Sequence, residues 1–117
     1  MRRSVCNISQ LAPGTMKTFL VGKITIVVAR TLGGSLHCLY GRCPHQGGEL
    51  GLGRLAGTTL PGNPGEYKYG RHSEIVRCPW HGFEFDIRNG RCLADPERLR
   101  VKIFDIWTEG EDIVVDI

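Results

Sequence analysis

Two short stretches of the chain combine residue types that bind metal. Cys43-Pro44-His45 carries a thiol and an imidazole one residue apart, and Cys78-Pro79-Trp80-His81-Gly82 carries the same pair two residues apart. The pattern is C-x-H, then 32 residues (46 to 77), then C-x-x-H. Each half has a proline beside its cysteine and glycine shortly after its histidine. That suits loops that bend sharply and let backbone approach a bound group closely. Two such loops can close around one metal centre with two sulfur and two nitrogen donors. A structural zinc site can use the same four donors, although its cysteines and histidines are normally spaced in like pairs.

The flanking residues narrow the choice. C-P-H and C-P-W-H-G-F-E-F-D resemble the two cluster-binding boxes of Rieske iron–sulfur proteins. The second box, continuing through Ile87-Arg88-Asn89-Gly90-Arg91-Cys92, is similar to soluble Rieske ferredoxins and to the Rieske domains of ring-hydroxylating oxygenases. The resemblance implies one [2Fe–2S] cluster, with Cys43 and Cys78 on one iron and His45 and His81 on the other. It also implies exposed outer edges on both histidines, so that redox partners dock at the cluster tip near His45 and His81. Mixed ligation has an electrostatic consequence. Two ferric ions and two sulfides with four thiolates carry a net charge of minus two, whereas two thiolates and two neutral imidazoles bring it to zero. The neutral cluster accepts an electron more readily. Reduction then makes the ligand imidazoles more basic.

The activity so implied is that of a soluble carrier passing single electrons from a reductase to a terminal oxygenase, making no bond itself. Three alternatives stand beside it. One is the small Rieske-like subunit of a nitrite reductase or other oxidoreductase complex; here all four ligand positions are present, which favours a working cluster. The second is a terminal oxygenase, whose catalytic iron domain 117 residues would not accommodate. The third is a structural zinc module.

Length and composition set outer bounds. At 117 residues the chain is expected to form one domain over 1–117 with a single core. Fifteen Lys and Arg against 12 Asp and Glu give +3, too mild a charge to argue for nucleic acid. Five cysteines in no disulfide-scaffold spacing point to a reducing compartment. No stretch approaches a membrane span, and Arg2-Arg3 is followed by no apolar signal core. The expectation is therefore a cytoplasmic protein without a membrane anchor.

The elements that must position the boxes read as short strands. Residues 4 to 9, 16 to 21, 23 to 30, 35 to 40, 74 to 77, 83 to 86, 99 to 107 and 112 to 117 are strand candidates, and none shows a sustained helical period. Ile24, Ile26 and Val28 alternate with Lys23, Thr25 and Val27, as in a half-buried strand. Leu99, Val101, Ile103 and Trp107 fall on one face. Gly33-Gly34 reads as a hairpin turn and Asn89-Gly90 as a type I′ turn. This is an all-β pattern: an antiparallel β-sandwich or barrel base carrying a small cluster-binding subdomain over about 41–93. Residues 52 to 73 are punctuated by glycine and proline and read as an inserted loop, with a short strand around 66 to 69, either functional or a passive surface insertion.

Other reactive residues have ordinary readings. His37, within a strand, and His72, in the insertion, form no 2-His-1-carboxylate grouping for a catalytic iron. Cys38 and Cys92 read as small apolar residues packed near the cluster pocket, and Trp80 as a cover over it. Arg42, Arg71, Arg77, Arg88 and Arg91 either favour an acidic partner face or form an ordinary charged surface.

The residues around the boxes predict the reduction potential. High-potential Rieske proteins have an extra cysteine in each box, joined as a disulfide, and a serine after the second His-Gly; here those positions are Gly48, Trp80 and Phe83. Fewer hydrogen bonds to the cluster sulfurs stabilise the more negative, reduced cluster less. The midpoint is expected near the low end of the roughly −150 to +300 mV Rieske range. A redox titration checks this, and a midpoint in the upper half would overturn it.

Overall fold

A computed structural model of the chain describes residues 1–44, 47–60, 68–79 and 82–117, with the backbone alone at 58–60, 68 and 69. Nine strands follow in order: β1 (Arg2–Asn7), β2 (Thr15–Val21), β3 (Ile24–Arg30), β4 (Leu36–Tyr40), β5 (Arg54–Leu60), β6 (Lys68–Arg77), β7 (Glu84–Asp86), β8 (Ile103–Glu109) and β9 (Asp112–Asp116). Single 3₁₀ turns stand at Ile8–Gln10 and Leu50–Leu52. No helix among the described residues is long and apolar enough to cross a membrane.

Six strands form one antiparallel sheet in the order β1-β9-β8-β4-β3-β2, and three form a second in the order β5-β6-β7. The larger sheet curls on itself. Its edge strands β1 and β2 contribute Val5, Cys6, Phe19 and Val21 to one core with Ile26, Val28, Cys38, Ile113 and Val115. The curl brings Lys17 of β2 close enough to Cys6 of β1 to be felt there: burial raises the Cys6 thiol pKa, and the ammonium opposes it. The outer face of the same sheet supplies Val27, Ala29 and Leu39 to a second core, shared with Cys43, Leu50, Val76, Cys78, Phe85, Ile87, Cys92 and Val101.

β3 is therefore buried on both faces, with Ile26, Val27, Val28 and Ala29 inaccessible to solvent. The alternation read in the sequence captures only the inner face, because Val27 and Ala29 meet the second sheet. On the β8 side, Phe104 and Ile106 pack inward. Leu99 and Val101 are covered by the smaller sheet. Ile103 and Trp107 continue the outward face past the end of that cover and are exposed.

Two local expectations need correction. The segment 52–73 is not mainly a loop. Arg54 pairs with Arg77 and Ala56 with Ile75; the register then shifts, and Thr58 pairs with Gly70 through to Leu60 with Lys68. Residues 71–74 bulge opposite Gly57, with Arg71 and Ser73 at φ 54° and 61°. Glycine, proline and threonine hid these strands because they break the apolar alternation, although β5 and β6 pair with each other as a hairpin; 61–67 are outside the described residues. Asn89-Gly90 is also not a type I′ turn, which needs positive φ at both residues. Among the described residues only Gly90 of the pair has positive φ, at 76°. The Asp86 carboxylate accepts from the Arg88 N–H at 2.9 Å, and the Asp86 N–H donates to the Arg91 carbonyl at 2.9 Å. Asp86 thus widens the turn to residues 86–91.

The bulge is tied down by polar contacts. Ser73 Oγ accepts from the Leu32 N–H at 2.7 Å, joining β6 to the turn between β3 and β4. Arg71 donates to Asp86 at 2.5 Å and to Glu74 at 3.2 Å, and Arg88 lies 3.3 Å from Asp86 and 3.5 Å from Glu74. Burial pushes the Asp86 carboxyl pKa up, but hydrogen bonds from Arg71 and Arg88 outweigh it and hold the pKa below the usual carboxylate range. A depressed carboxylate contributes stability that is present above its unfolded pKa of about 3.9 and lost as pH falls through the lower folded value. Asp86→Asn is expected to destabilise the fold at neutral pH by about 1–3 kcal/mol. It should also flatten the loss of stability on the acid side of about pH 4. Thermal melts of both proteins across pH check this.

Candidate metal centre

The two cysteine loops are built alike. The Cys43 N–H donates to the Gly48 carbonyl at 2.7 Å, and the Cys78 N–H to the Phe83 carbonyl at 2.8 Å, so each loop closes over the same six-residue span. The Gly47 N–H adds a bond to the Cys43 carbonyl at 2.8 Å. Gly47 and Gly82 take φ of 73° and 69°, a region costly for other residues, and so let each loop turn back. Below the first loop, Arg42 and Glu49 pair as a bridge, and Arg42 Nη1 donates to the Gly47 carbonyl at 3.4 Å. Beside the second, Arg77 and Glu84 form a 2.9 Å ion pair across β6 and β7.

Both loops stand at one end of the smaller sheet. The first runs through Leu50–Leu52 into β5 at Arg54, and Arg54 pairs with Arg77, the residue before Cys78. Two glycines permit this junction. A side chain at Gly53 would overlap the Arg77 carbonyl, and one at Gly51 would overlap the Thr18 hydroxyl of β2. The sequence marks these positions only as two of many glycines.

Cys43 and Cys78 are 2% and 1% exposed and belong to one core. Pro44 and Pro79, which follow them, are exposed. Each loop thus buries its cysteine and exposes the proline that follows. His45 and His81, the expected nitrogen ligands, lie outside the described residues, as does Trp80. Among the described residues no three His, Cys, Asp or Glu side chains are grouped to hold a metal, and no disulfide forms. Two buried thiols delivered by matching loops, each with a histidine in its sequence, fit a centre with two sulfur and two nitrogen donors.

The remaining candidates fall elsewhere. Cys92 shares the core of Cys43 and Cys78, but Cys38 points into the other core, correcting its expected place near the cluster; burial raises its thiol pKa to about 12. His37 lies 3.3 Å from Ser35 Oγ, and its pKa is lowered by burial and then by Arg88, against the opposing pull of Asp86 and Glu74. His72 is exposed on the β6 bulge. Arg71, Arg77 and Arg88, read as possible partner contacts, are engaged by Asp86, Glu74 and Glu84.

The sequence profile of the Rieske [2Fe-2S] domain matches residues 2–105. The chain belongs to the Rieske [2Fe-2S] domain family. Members of that family carry a Rieske-type [2Fe–2S] cluster. This Rieske chain is 27% identical over 113 residues to the ferredoxin component of biphenyl 2,3-dioxygenase from Rhodococcus jostii (strain RHA1), covering 97% of this chain and 90% of the relative. Its fold is similar to the solved ferredoxin of carbazole 1,9a-dioxygenase from Nocardioides aromaticivorans IC177, with a TM-score of 0.76 and 28% identity over 97% of this chain and 95% of that one. A protein from Mycobacterium tuberculosis described as an NADH-dependent nitrite reductase small subunit shares the fold, with a TM-score of 0.74 and 21% identity over 98% and 93% of the two chains. Several other curated relatives are much longer, and the chain spans 16–17% of their length.

Gly53→Ala is expected to disturb both Rieske loops at once, because the added methyl meets backbone and not a movable side chain. Overpacking of this kind costs about 1–3 kcal/mol. Iron content after purification checks it: the variant should retain less iron than wild type, while Gly33→Ala, where φ is not positive and a side chain would make only an ordinary contact with Thr31, should retain as much.

Proposed function

We propose that the protein is a one-electron carrier of the ferredoxin type, serving a multicomponent oxygenase between a reductase and a terminal oxygenase. The observation that carries this reading is the pair of matching loops that bury Cys43 and Cys78 in one core. Cys43, His45, Cys78 and His81 are the cluster ligands. When bound, the cluster supplies reversible uptake of a single electron. The chain's own residues hold it and shield it. Leu50, Val76 and Phe85 close the protein side of the two thiols against water, and the loop closures at Gly48 and Phe83 orient the sulfurs. No residue acts on a substrate, and the partners meet the protein at the loop tips near His45 and His81.

Likeness to two ferredoxins of aromatic-ring dioxygenases, each matched over nearly its whole length, supports this assignment. Likeness to the nitrite reductase small subunit is one of fold alone at 21% identity. The protein is assigned to the cytoplasm, where the five cysteines would remain reduced.

Electron paramagnetic resonance on the dithionite-reduced protein, with iron content and visible spectrum, is the direct test. A low average g-value with two irons per chain is expected for a nitrogen-ligated cluster. Cys43→Ser and Cys78→Ser should each lose it. Transfer of electrons to an aromatic-ring oxygenase then supports the carrier assignment, while co-purification with a nitrite reductase in its place would redirect it. A colourless, zinc-holding protein would overturn both.

A further inference from the structure

Two leucines stand almost bare at the end of the molecule that carries the Rieske loops. Leu52 closes the 3₁₀ turn leading from the first loop into β5 and is 74% exposed, although Leu50 in the same turn is fully buried. Leu20, near the end of the edge strand β2, is also 74% exposed. The two share one face. Phe19 and Val21 pack into the inner core, so Thr18 and Leu20 lie on the outer side of β2. Thr18 is the residue that leaves Gly51 no room for a side chain, and Leu52 follows Gly51. Leu20 is one side-chain repeat further along β2, roughly 7 Å from Thr18. It pairs with Thr25, whose carbonyl accepts from the Gly41 N–H at 2.8 Å where the first loop begins.

Leu52 also adjoins the second loop. With Arg54, Pro79 and Gly82 it lines a shallow groove of about 290 Å³. Arg54 is exposed there and forms no ion pair among the described residues, whereas Arg77, its partner across the strand pair, is bound by Glu84. The face therefore combines two uncovered leucines with one uncompensated cation, and it runs without a break into the second loop. An apolar recess edged by a carboxylate is its complement. Exposed as they are, the leucines add nothing to the fold; covered by a partner, each contributes its full burial.

We propose that the terminal oxygenase docks on this face, seating Leu20 and Leu52 in an apolar recess and setting a carboxylate against Arg54. The proposal rests on the electron-carrier reading and adds to it the side on which the partner sits. Contact extends from the loop tips down over β2 and the foot of the first loop, so the oxygenase approaches the cluster from one side and not squarely over the tips. The leucines supply affinity, and Arg54 supplies orientation and speed of encounter.

The test is stopped-flow electron transfer from the reduced holoprotein to the terminal oxygenases of the biphenyl and carbazole dioxygenase systems, read as a second-order rate constant. Leu20→Gln and Leu52→Gln should each lower it about tenfold. Arg54→Glu should lower it about tenfold at low salt and flatten its dependence on ionic strength, and Arg54→Lys should restore most of the rate. The electron paramagnetic resonance signal and the midpoint of these variants should match wild type, which separates docking from damage to the cluster. Leu32→Gln is the control: Leu32 is 65% exposed in the turn before β4, at the opposite end of that strand from the first loop, and its variant should transfer as wild type does. A wild-type rate from either Leu20→Gln or Leu52→Gln, or an equal loss in Leu32→Gln, would overturn the proposal. So would variants that are reduced more slowly by the reductase yet pass electrons to the oxygenase undiminished, which would give the face to the reductase. A wild-type holoprotein that reduces neither oxygenase would overturn the carrier reading itself, and the proposal with it.

Discussion

The pairing of Arg54 with Arg77 governs the metal-binding end of the molecule. It joins the foot of the first loop to the foot of the second, though the two cysteines are far apart along the chain. The junction is tight enough that Gly53 has no room for a side chain beside the Arg77 carbonyl. Short glycine-rich loops order themselves poorly, since each backbone residue costs about 1–2 kcal/mol to immobilise. Two or three hydrogen bonds at about 1 kcal/mol each do not offset that. The loops are held because strands and a common core are held beneath them.

That core is also why the base has the form it has. Leu50, Val76, Phe85 and Ile87 are fully buried between the small sheet and the outer face of the curled one. Burial of such side chains contributes about 1.5–3 kcal/mol each. The curled sheet must therefore present an apolar outer face while keeping an apolar interior. β3 and β4 do both, with Val27, Ala29 and Leu39 outward and Ile26, Val28 and Cys38 inward. The loops after β4 and β6 thus stand over this shared core, where close packing resists displacement.

Local signals made much of this legible. Alternation located most strands, Gly33-Gly34 located a turn, and the two C-P boxes located the loops. What the sequence hid was set by pairing and packing, which no run of residue types marks. β5 and the distal half of β6 lack a run of apolar residues, and their strand character comes from pairing with each other. The Asn89-Gly90 dipeptide is overridden by Asp86, whose carboxylate caps a wider turn. Cys38 and Cys43 lie close in sequence yet face opposite cores, because the chain leaves β4 between them and turns at Gly41. At the site itself, Cys43 and Cys78, expected as sulfur donors, lie in one core; the matching loop closures and the roles of Gly51 and Gly53 could not be read from the sequence, since they are relations between backbone segments.

Charge near the cluster loops had two readings in the sequence. The five arginines in or near the boxes fitted either an acidic partner face or an ordinary charged surface. Three are neutralised within the second sheet: Arg77 by Glu84, and Arg71 and Arg88 by Asp86 and Glu74. Opposed charges a few ångströms apart cancel at a distance, so their combined field at the loop tips is small. Arg42 turns its guanidinium onto the Gly47 carbonyl, bracing the first loop from below. Arg91, in the 86–91 turn, remains exposed. Phe83, the residue after the second His-Gly, carries no hydroxyl that could donate a hydrogen bond to a cluster sulfide.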